Sequence, residues 1–299
     1  MWKTLRVNDL LEVAQRMSDS KKTNPVTFGY YCVALIDILG QQEALQRFKE
    51  IPRTDDERND FIQIAKKTFG VVDGIRNMFD SFYSGYNTPP PADEMLKTDL
   101  KFQGFSDTII IYVPLASISE RIPINSIYAG LLACGSTLLY SMAAGHPLRG
   151  GIEIGIAAEL YEGEIYGPAL SEAYRLESQV AQYPRIVVGR ELTSYLWAYK
   201  NSSELDVRAK FIKGMAECCL GLLTQDVDGQ PIVDYLGEGF MTKVDCRPLD
   251  DDIVNKAYQF VTDEAKKWRE QRNTQLAFRY ALLHNYFVER IALWKDRLK

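Results

Sequence analysis

The sequence contains few of the residues that build metal sites, disulfides or histidine-based catalysis. Two histidines occur in 299 residues, and the five cysteines are odd in number and lack Cys-x-x-Cys spacing. These counts argue against a disulfide framework, a zinc site and a mechanism that depends on several histidines. We expect the cysteines to be small, reduced and mostly buried.

Long apolar runs and runs of one charge are also missing. The longest apolar stretches, at 109–115 and 127–139, are too short or too interrupted for the roughly 20 residues that span a bilayer. No run of Lys and Arg exceeds two residues, and the net charge is -5. We therefore expect no membrane helix and no nucleic acid as the main partner. Asp9 and Glu12 interrupt the region where a signal peptide needs an apolar core, so we expect a cytoplasmic protein.

The rest of the composition is that of an ordinary globular chain. It is 46% hydrophobic and 25% charged, which excludes a disordered or fibrous protein. The pattern over 30–190 predicts an α/β (α+β) sandwich, with helices packed on a sheet. We expect an N-terminal helix and linker at 1–27, a main domain at 28–250 with a helical insert at about 41–82, and a helical C-terminal extension at 251–299.

Beyond residue 190 the pattern is weaker. It predicts helices at 190–200 and 204–217, a strand at Cys218–Leu223 and a helical tail over 252–297. The segment Asp226-Val-Asp-Gly resembles the start of a calcium loop, but further ligands are not at the required spacing. We therefore expect a simple turn at this position, without a metal.

Two aspartates follow apolar strand segments. Asp37 comes directly after the run Tyr30–Ile36, and Asp107 lies at the tip of a predicted hairpin between Leu100–Phe105 and Thr108–Val113. On adjacent strands these carboxylates could hold divalent cations, because Mg²⁺ prefers one or two carboxylates together with substrate phosphates. The alternative is that each aspartate caps a helix or a turn.

A phosphate site is predicted beside these aspartates. The residues after Asp37 form a strand-to-helix turn, where free backbone N–H groups and the helix dipole favour phosphate. The candidate phosphate-binding residues are Leu39, Gly40, Gln41 and Gln42. A helix that begins at Gly167 carries Arg175, which could stabilise negative charge on a phosphate, although a solvated arginine is the alternative.

Three segments, in this order, resemble motifs of class III nucleotidyl cyclases. They are Ala34–Gly40, with the sequence Ala-Leu-Ile-Asp-Ile-Leu-Gly, then Gln103–Asp107, with Gln-Gly-Phe-Ser-Asp, and Glu164–Ser178, which begins Glu-Ile-Tyr-Gly-Pro-Ala-Leu-Ser. They lie within 30–190, about half of the chain. The resemblance implies the fold of a cyclase catalytic core.

The resemblance also implies a set of catalytic groups. Asp37, Asp107 and the backbone carbonyl of Ile38 would bind two Mg²⁺ or Mn²⁺ ions. Arg175 would stabilise the pentavalent phosphorus. Ser171 stands where most members have an Asn that orients the ribose, which leaves the placement of the sugar open.

The residues that would read the base differ from those of purine cyclases. Gln103 stands where adenylate cyclases have Lys and guanylate cyclases have Glu, and Glu164 stands where they have Asp and Cys. Tyr166, with Phe102 and Phe105, could close or stack on a smaller base, unless these rings are ordinary core aromatics. The helical insert and the altered pair are most similar to the bacterial Pycsar pyrimidine cyclases of anti-phage defence.

The resemblance therefore implies a homodimeric enzyme that converts UTP to 3′,5′-cyclic UMP and pyrophosphate. Its two active sites would be composite, with metal aspartates from one subunit and the arginine from the other, and its product would activate a separate effector protein. The alternatives are a cytidylate cyclase, a purine cyclase or diguanylate-type synthase, and a catalytically dead nucleotide sensor. The sequence does not separate uracil from cytosine, because a glutamine can offer a donor or an acceptor to either base.

Overall fold

The computed structural model describes most of the chain. The described residues are 27–41, 51–86, 89–91, 96–116, 123–161, 163–204, 206–244 and 251–295. The predicted N-terminal helix, part of the predicted insert, Gln42, Cys246 and the side chain of Phe105 lie outside these residues.

The described residues form one mixed eight-stranded sheet. The strands are β1 (Thr27–Ile38), β2 (Lys101–Phe105), β3 (Thr108–Ala116), β4 (Leu148–Tyr161), β5 (Glu164–Tyr166), β6 (Ile186–Val188), β7 (Leu223–Gln225) and β8 (Pro231–Val233). Their order is β2-β3-β1-β4-β6-β8-β7, and β5 pairs with β4 outside this path. Only the β4–β6 pair is parallel among these strands. The prediction of a mixed α/β fold is confirmed.

Helices cover both faces of this sheet. They are α1 (Asp55–Gly85), α2 (Ile124–Ala143), α3 (Pro168–Arg175), α4 (Arg190–Lys200), α5 (Val207–Leu220), α6 (Glu238–Val244), α7 (Asp251–Glu270) and α8 (Thr274–Lys295). A π-helical turn, Leu176–Val180, follows α3 directly. The predicted insert therefore contains a long helix, α1, which begins where Thr54 and Glu57 form a capping box.

The predicted strand at Cys218–Leu223 is wrong. Cys218 lies in the last turn of α5, and the strand begins at Leu223. Met215 and Cys219 are buried four residues apart on one face of this helix. A short apolar run fits a strand or a buried helix equally well, and here the helical spacing of its neighbours decides.

The two faces of the sheet have separate cores. Even-numbered β1 residues such as Ala34 and Ile36 belong to a large core that includes α2 and the C-terminal helices. Odd-numbered residues such as Val33 and Leu35 belong to a small core under α3. Because side chains alternate along a strand, Asp37 lies on the α3 face.

Helix α2 is the centre of the large core. In the described part of the chain it is the one helix long and apolar enough to cross a membrane. Of the residues in its apolar stretch, 89% are buried inside the protein. Its burial identifies it as a core helix.

The C-terminal helices are part of the same core. Val254 of α7 and Phe287 of α8 are almost fully buried in it. Asp234, directly after β8, accepts hydrogen bonds from Tyr286 at 2.8 Å and from Arg290 at 2.6 Å. The predicted helical tail is thus two helices anchored to the sheet.

The Asp226 turn connects β7 and β8, as a turn was predicted there. Asp226 accepts hydrogen bonds from Tyr183 and Arg185, and Asp228 accepts from Arg185 at 2.6 Å. Its carboxylates therefore neutralise a buried guanidinium and fix the turn against the start of β6.

Candidate functional site

The pairing of β1 with both neighbours places the two candidate metal aspartates at one end of the sheet. Asp37 lies opposite Thr108 of β3 and opposite Arg149 of β4. The β2–β3 hairpin turns in only two residues, with Ser106 at a φ of 58°, so that Asp107 directly precedes Thr108. The Ile38 amide donates to the Asp107 carbonyl oxygen at 3.4 Å. The predicted hairpin with Asp107 at its tip is confirmed.

The surroundings of Asp37 favour a cation. Thr108 Oγ1 donates to Asp37 Oδ1 at 3.3 Å, and Arg149 Nη2 lies 3.3 Å from Asp37 Oδ2. Burial raises the pKa of Asp37; Arg149 opposes this rise and the charge of Asp107 adds to it. Asp107 itself is only 6% exposed. Two buried carboxylates that repel each other are stabilised by a positive ion between them.

Glu177 is a third carboxylate at this site, and the sequence did not single it out. It lies in the π-helical turn after α3, and its Oε1 is 2.6 Å from Arg149 Nε, although the two atoms are not aligned as a hydrogen bond. Burial raises the pKa of Glu177, and Arg149 counteracts the rise. The signal in the sequence was a charged residue, Arg149, beside the glycine- and isoleucine-rich first half of β4.

The donor set fits a hard divalent cation bound together with a ligand. Asp37 and Glu177 pair with Arg149, and Asp107 adds a third negative charge that interacts with both carboxylates, which leaves an excess of negative charge. Within the described residues, no three or more His, Cys, Asp or Glu side chains are arranged to hold a metal by themselves. Asp37, Asp107 and the Ile38 carbonyl would supply hard oxygen ligands, and substrate phosphates would complete the coordination, as is usual for Mg²⁺.

The predicted phosphate turn is adjacent to Asp37. Gly40 has a φ of 86°, a left-handed conformation that glycine adopts at no steric cost. The Leu39 amide donates to the carbonyl oxygen of Pro147 at 3.0 Å, and this bond engages that amide. Gln41 is buried and Gln42 lies outside the described residues.

Helix α3 packs closely on β4 because glycines allow the approach. A Cβ at Gly167, which has a φ of 141°, would lie 2.8 Å from the Cα of Ala157. Ala173 faces the sheet, whereas Ser171 and Arg175 lie four residues apart on the exposed side. Ser171 Oγ donates to the Gly167 carbonyl oxygen at 3.3 Å.

Arg175 is an exposed side chain that pairs within its own helix. Its Nε donates to Glu172 Oε2 at 2.9 Å and its Nη2 donates to Glu172 Oε1 at 2.6 Å. These hydrogen bonds lower the pKa of Glu172. Among the contacts of the described residues, none joins Arg175 to Asp37 or Asp107, so one chain by itself does not bring these three predicted groups together.

The two predicted base-reading segments do meet. The Ile165 amide donates to Gln103 Oε1 at 3.1 Å, which joins β2 to the β4–β5 hairpin. Glu164 and Tyr166, on either side of Ile165, are exposed, Tyr166 by 69%. The two segments are therefore in contact through this hydrogen bond, while their contact with a base remains a prediction.

Phe102 does not face this junction. It packs edge to face on Phe79 at 6.4 Å between ring centroids, and Arg76 lies over its ring. Since Phe102 alternates with Gln103 along β2, it lies on the opposite face of the sheet. Of the two interpretations of this residue, a core aromatic is the correct one.

A second polar cluster, also missed from the sequence, flanks Gln103. Glu159 accepts from Lys101 Nζ at 2.5 Å, from Tyr112 OH at 3.1 Å and from the Gly163 amide at 3.2 Å. These bonds hold the β4–β5 hairpin over the edge of the sheet. The polar groups beside Gln103 are therefore held in fixed positions.

Neither a model of a known protein family nor a curated protein matches this chain. Its chemistry must therefore be argued from the site. Paired buried carboxylates, a glycine-containing turn and a fixed amide on one face of a sheet are suited to a divalent cation and a phosphorylated ligand.

The candidate metal site can be tested by measuring Mn²⁺ affinity after substitution of Asp107. Asp107→Asn keeps the size of the side chain but removes one of two carboxylates, so we expect Mn²⁺ binding to weaken about tenfold or more. Electron paramagnetic resonance of free Mn²⁺ would measure the affinity. Asp80→Asn, the same change at an exposed position of α1, is the matched control. Equal affinities in Asp107→Asn, Asp80→Asn and the native protein would contradict the site.

Proposed function

We propose that this protein is a nucleotidyl cyclase of the class III type that converts UTP to 3′,5′-cyclic UMP and pyrophosphate. The observation that carries the proposal is the convergence, on one face of the sheet, of segments that resemble cyclase motifs. Asp37 and Asp107 meet beside the Leu39–Gly40 turn, and the hairpin that carries Asp107 also carries Gln103, which binds the backbone of the third segment.

The reaction requires a new bond between the ribose 3′ oxygen and the α-phosphorus. The bond from that phosphorus to the leaving pyrophosphate breaks, and the hydroxyl proton passes to solvent. Divalent cations, when bound by Asp37, Asp107 and the Ile38 carbonyl, would lower the pKa of the 3′ hydroxyl and neutralise charge on the phosphates. The two aspartates hold these ions, and the turn at Gly40 and Gln41 receives the phosphate chain.

Arg175 would act on the active site of a second copy. It lies on the exposed side of α3 and its guanidinium is already oriented by Glu172. Tyr174, next to Arg175 on the same helix, is also exposed. Tyrosine and arginine are enriched in protein interfaces, which supports a homodimer formed through this face. Across such an interface Arg175 would stabilise charge on the leaving pyrophosphate, and Ser171, on the same side of the helix, would meet the ribose.

The orientation of the Gln103 amide favours uracil. A backbone N–H can only donate, so the atom of Gln103 that faces Ile165 is the carbonyl oxygen, and the NH₂ group is the one left for a ligand. Uracil carries an acceptor, O4, where cytosine carries an amino group. The NH₂ group of Gln103 can therefore donate a hydrogen bond to O4 of uracil. Opposite cytosine, the same NH₂ group would face the amino group of the base, and two donors cannot pair. Glu164 would lie beside the same base edge, and the cyclic product would act on a separate effector protein in the cytoplasm.

The function is tested by incubating the purified protein with each of the four NTPs and Mn²⁺ and identifying products by mass. We expect cyclic UMP from UTP. We expect Asp107→Ala to be inactive at an unchanged melting temperature, because it removes a cation ligand and leaves the Asp37–Arg149 ion pair in place. Cyclic AMP or cyclic GMP as the main product would overturn the base assignment. No cyclic product from any nucleotide would overturn the cyclase assignment, and binding of a nucleotide without turnover would then favour a catalytically dead nucleotide sensor.

Base selection depends on Gln103. Gln103→Glu offers only acceptors to the ligand, so we expect the ratio of kcat/KM for UTP to that for CTP to fall about tenfold or more. Gln225→Glu, at an exposed residue of β7, makes the same change of charge away from the site. A ratio that is unchanged in Gln103→Glu would show that another group reads the base.

The composite site predicts complementation between two inactive variants. An Asp107→Ala chain mixed with an Arg175→Ala chain should regain activity, because one of the two sites in a mixed dimer then has both aspartates and the arginine. Mass spectrometry of intact dimers would verify subunit exchange. Continued inactivity after proven exchange would mean that all catalytic groups come from one subunit.

A further inference from the structure

A second cleft lies against the phosphate turn, between it and the C-terminal helices. It has a volume of about 360 Å³ and is bounded on one side by Leu39 and Gly40 and on the other by α7 and α8. None of the candidate metal, base-reading or catalytic side chains lines it. Its size is within the range of small-molecule sites.

The helical side of this cleft is aromatic and positively charged. Phe260, Trp268 and Tyr280 supply three rings, and Lys267 and Arg279 supply two cations. The acidic side chain in the cleft, Glu264, already accepts hydrogen bonds from Lys267 and Trp268.

Glu264 is neutralised by its own helix. It accepts from Trp268 Nε1 at 2.8 Å and from Lys267 Nζ at 2.8 Å. Arg279, in contrast, is half-buried, and no carboxylate of the described residues lies within ion-pair distance of it. A partly buried guanidinium that lines a cleft and has no carboxylate partner of its own is suited to an anionic ligand, and its planar fork matches the oxygens of a phosphate.

We propose that this cleft binds a nucleotide, with its phosphate on Arg279 and its base against the aromatic wall of Phe260, Trp268 and Tyr280. Rings and a cation on two neighbouring helices suit a ligand that has both a planar base and a phosphate. A simple anion would use Arg279 but would make no use of the aromatic side of the cleft.

The position of the cleft gives this nucleotide a regulatory role, and that part of the inference rests on the proposed function. Leu39 and Pro147 both line the cleft, and the 3.0 Å hydrogen bond from the Leu39 amide to the Pro147 carbonyl oxygen fixes the phosphate turn. A ligand seated against these residues restricts the turn before the substrate arrives. Pre-organisation of a binding loop lowers the cost of binding, so a nucleotide in the cleft lowers the KM for UTP.

Binding can be measured without turnover. In EDTA, with the Asp107→Asn protein, ¹⁹F NMR of 5-fluorotryptophan-labelled chain would report on Trp268, whose resonance is assigned with Trp268→Phe. The probes are the four nucleoside 5′-monophosphates, cyclic UMP and inorganic phosphate. We expect at least one nucleotide to shift the Trp268 resonance at a concentration at which phosphate alone does not.

Two arginine variants distinguish the cleft from general charge. Arg279→Met should weaken nucleotide binding about tenfold or more, since it removes the proposed phosphate ligand. Arg269→Met, the same change at an exposed residue of α7 that does not line the cleft, should leave binding unchanged. A Trp268 resonance unmoved by every nucleotide, or equal binding in both variants at equal melting temperature, would overturn the proposal.

The two proposals fail in different experiments. If nucleotide binding depends on Arg279 but the protein makes no cyclic product, the proposed nucleotide site in the cleft is supported and the proposed cyclase function is contradicted. If the protein produces cyclic UMP, its KM for UTP is unaffected by Arg279→Met and no nucleotide binding depends on Arg279, the cyclase function is supported and the regulatory site is contradicted.

Discussion

Arg149 is the residue on which the arrangement of the site depends. It begins β4, and its guanidinium lies between Asp37 at the end of β1 and Glu177 in the turn after α3. Removing one partner of a buried charge pair leaves the other without compensation, which is costly. One guanidinium therefore connects three separate segments: the strand with the candidate metal ligand Asp37, the strand beside it, and the end of the helix that carries Arg175.

The parts of the site that could be predicted from the sequence are those that depend on local geometry. A two-residue polar break between apolar runs specifies a tight hairpin, so the position of Asp107 at its tip followed directly. Strand alternation then places Asp37 on the face that α3 covers. Pro168 after Gly167 fits the first turn of a helix, which correctly located the start of α3.

The parts that could not be predicted depend on contacts between distant segments. The pairing of Arg149 with Glu177 joins residues whose own neighbours in sequence give no sign of it. The orientation of the Gln103 amide is set by the Ile165 amide, so that sequence alone left donor and acceptor interchangeable. The predicted boundary between α5 and β7 was wrong for a related reason. Tertiary packing, and not the local sequence, determines whether this apolar run is helix or strand.

The edges of the sheet constrain how two copies of this protein can associate. In the described sheet the outer strands are β2, with five residues, β7, with three, and β5, with three, which pairs only with β4. Such short edges offer few free backbone groups, which disfavours growth of the sheet by strand addition between molecules. Two copies therefore have little to gain by joining their sheets end to end. For the proposed homodimer this leaves the side of the sheet that carries α3, where a twofold axis would bring each arginine-bearing helix over the other subunit's sheet and would close the assembly at two.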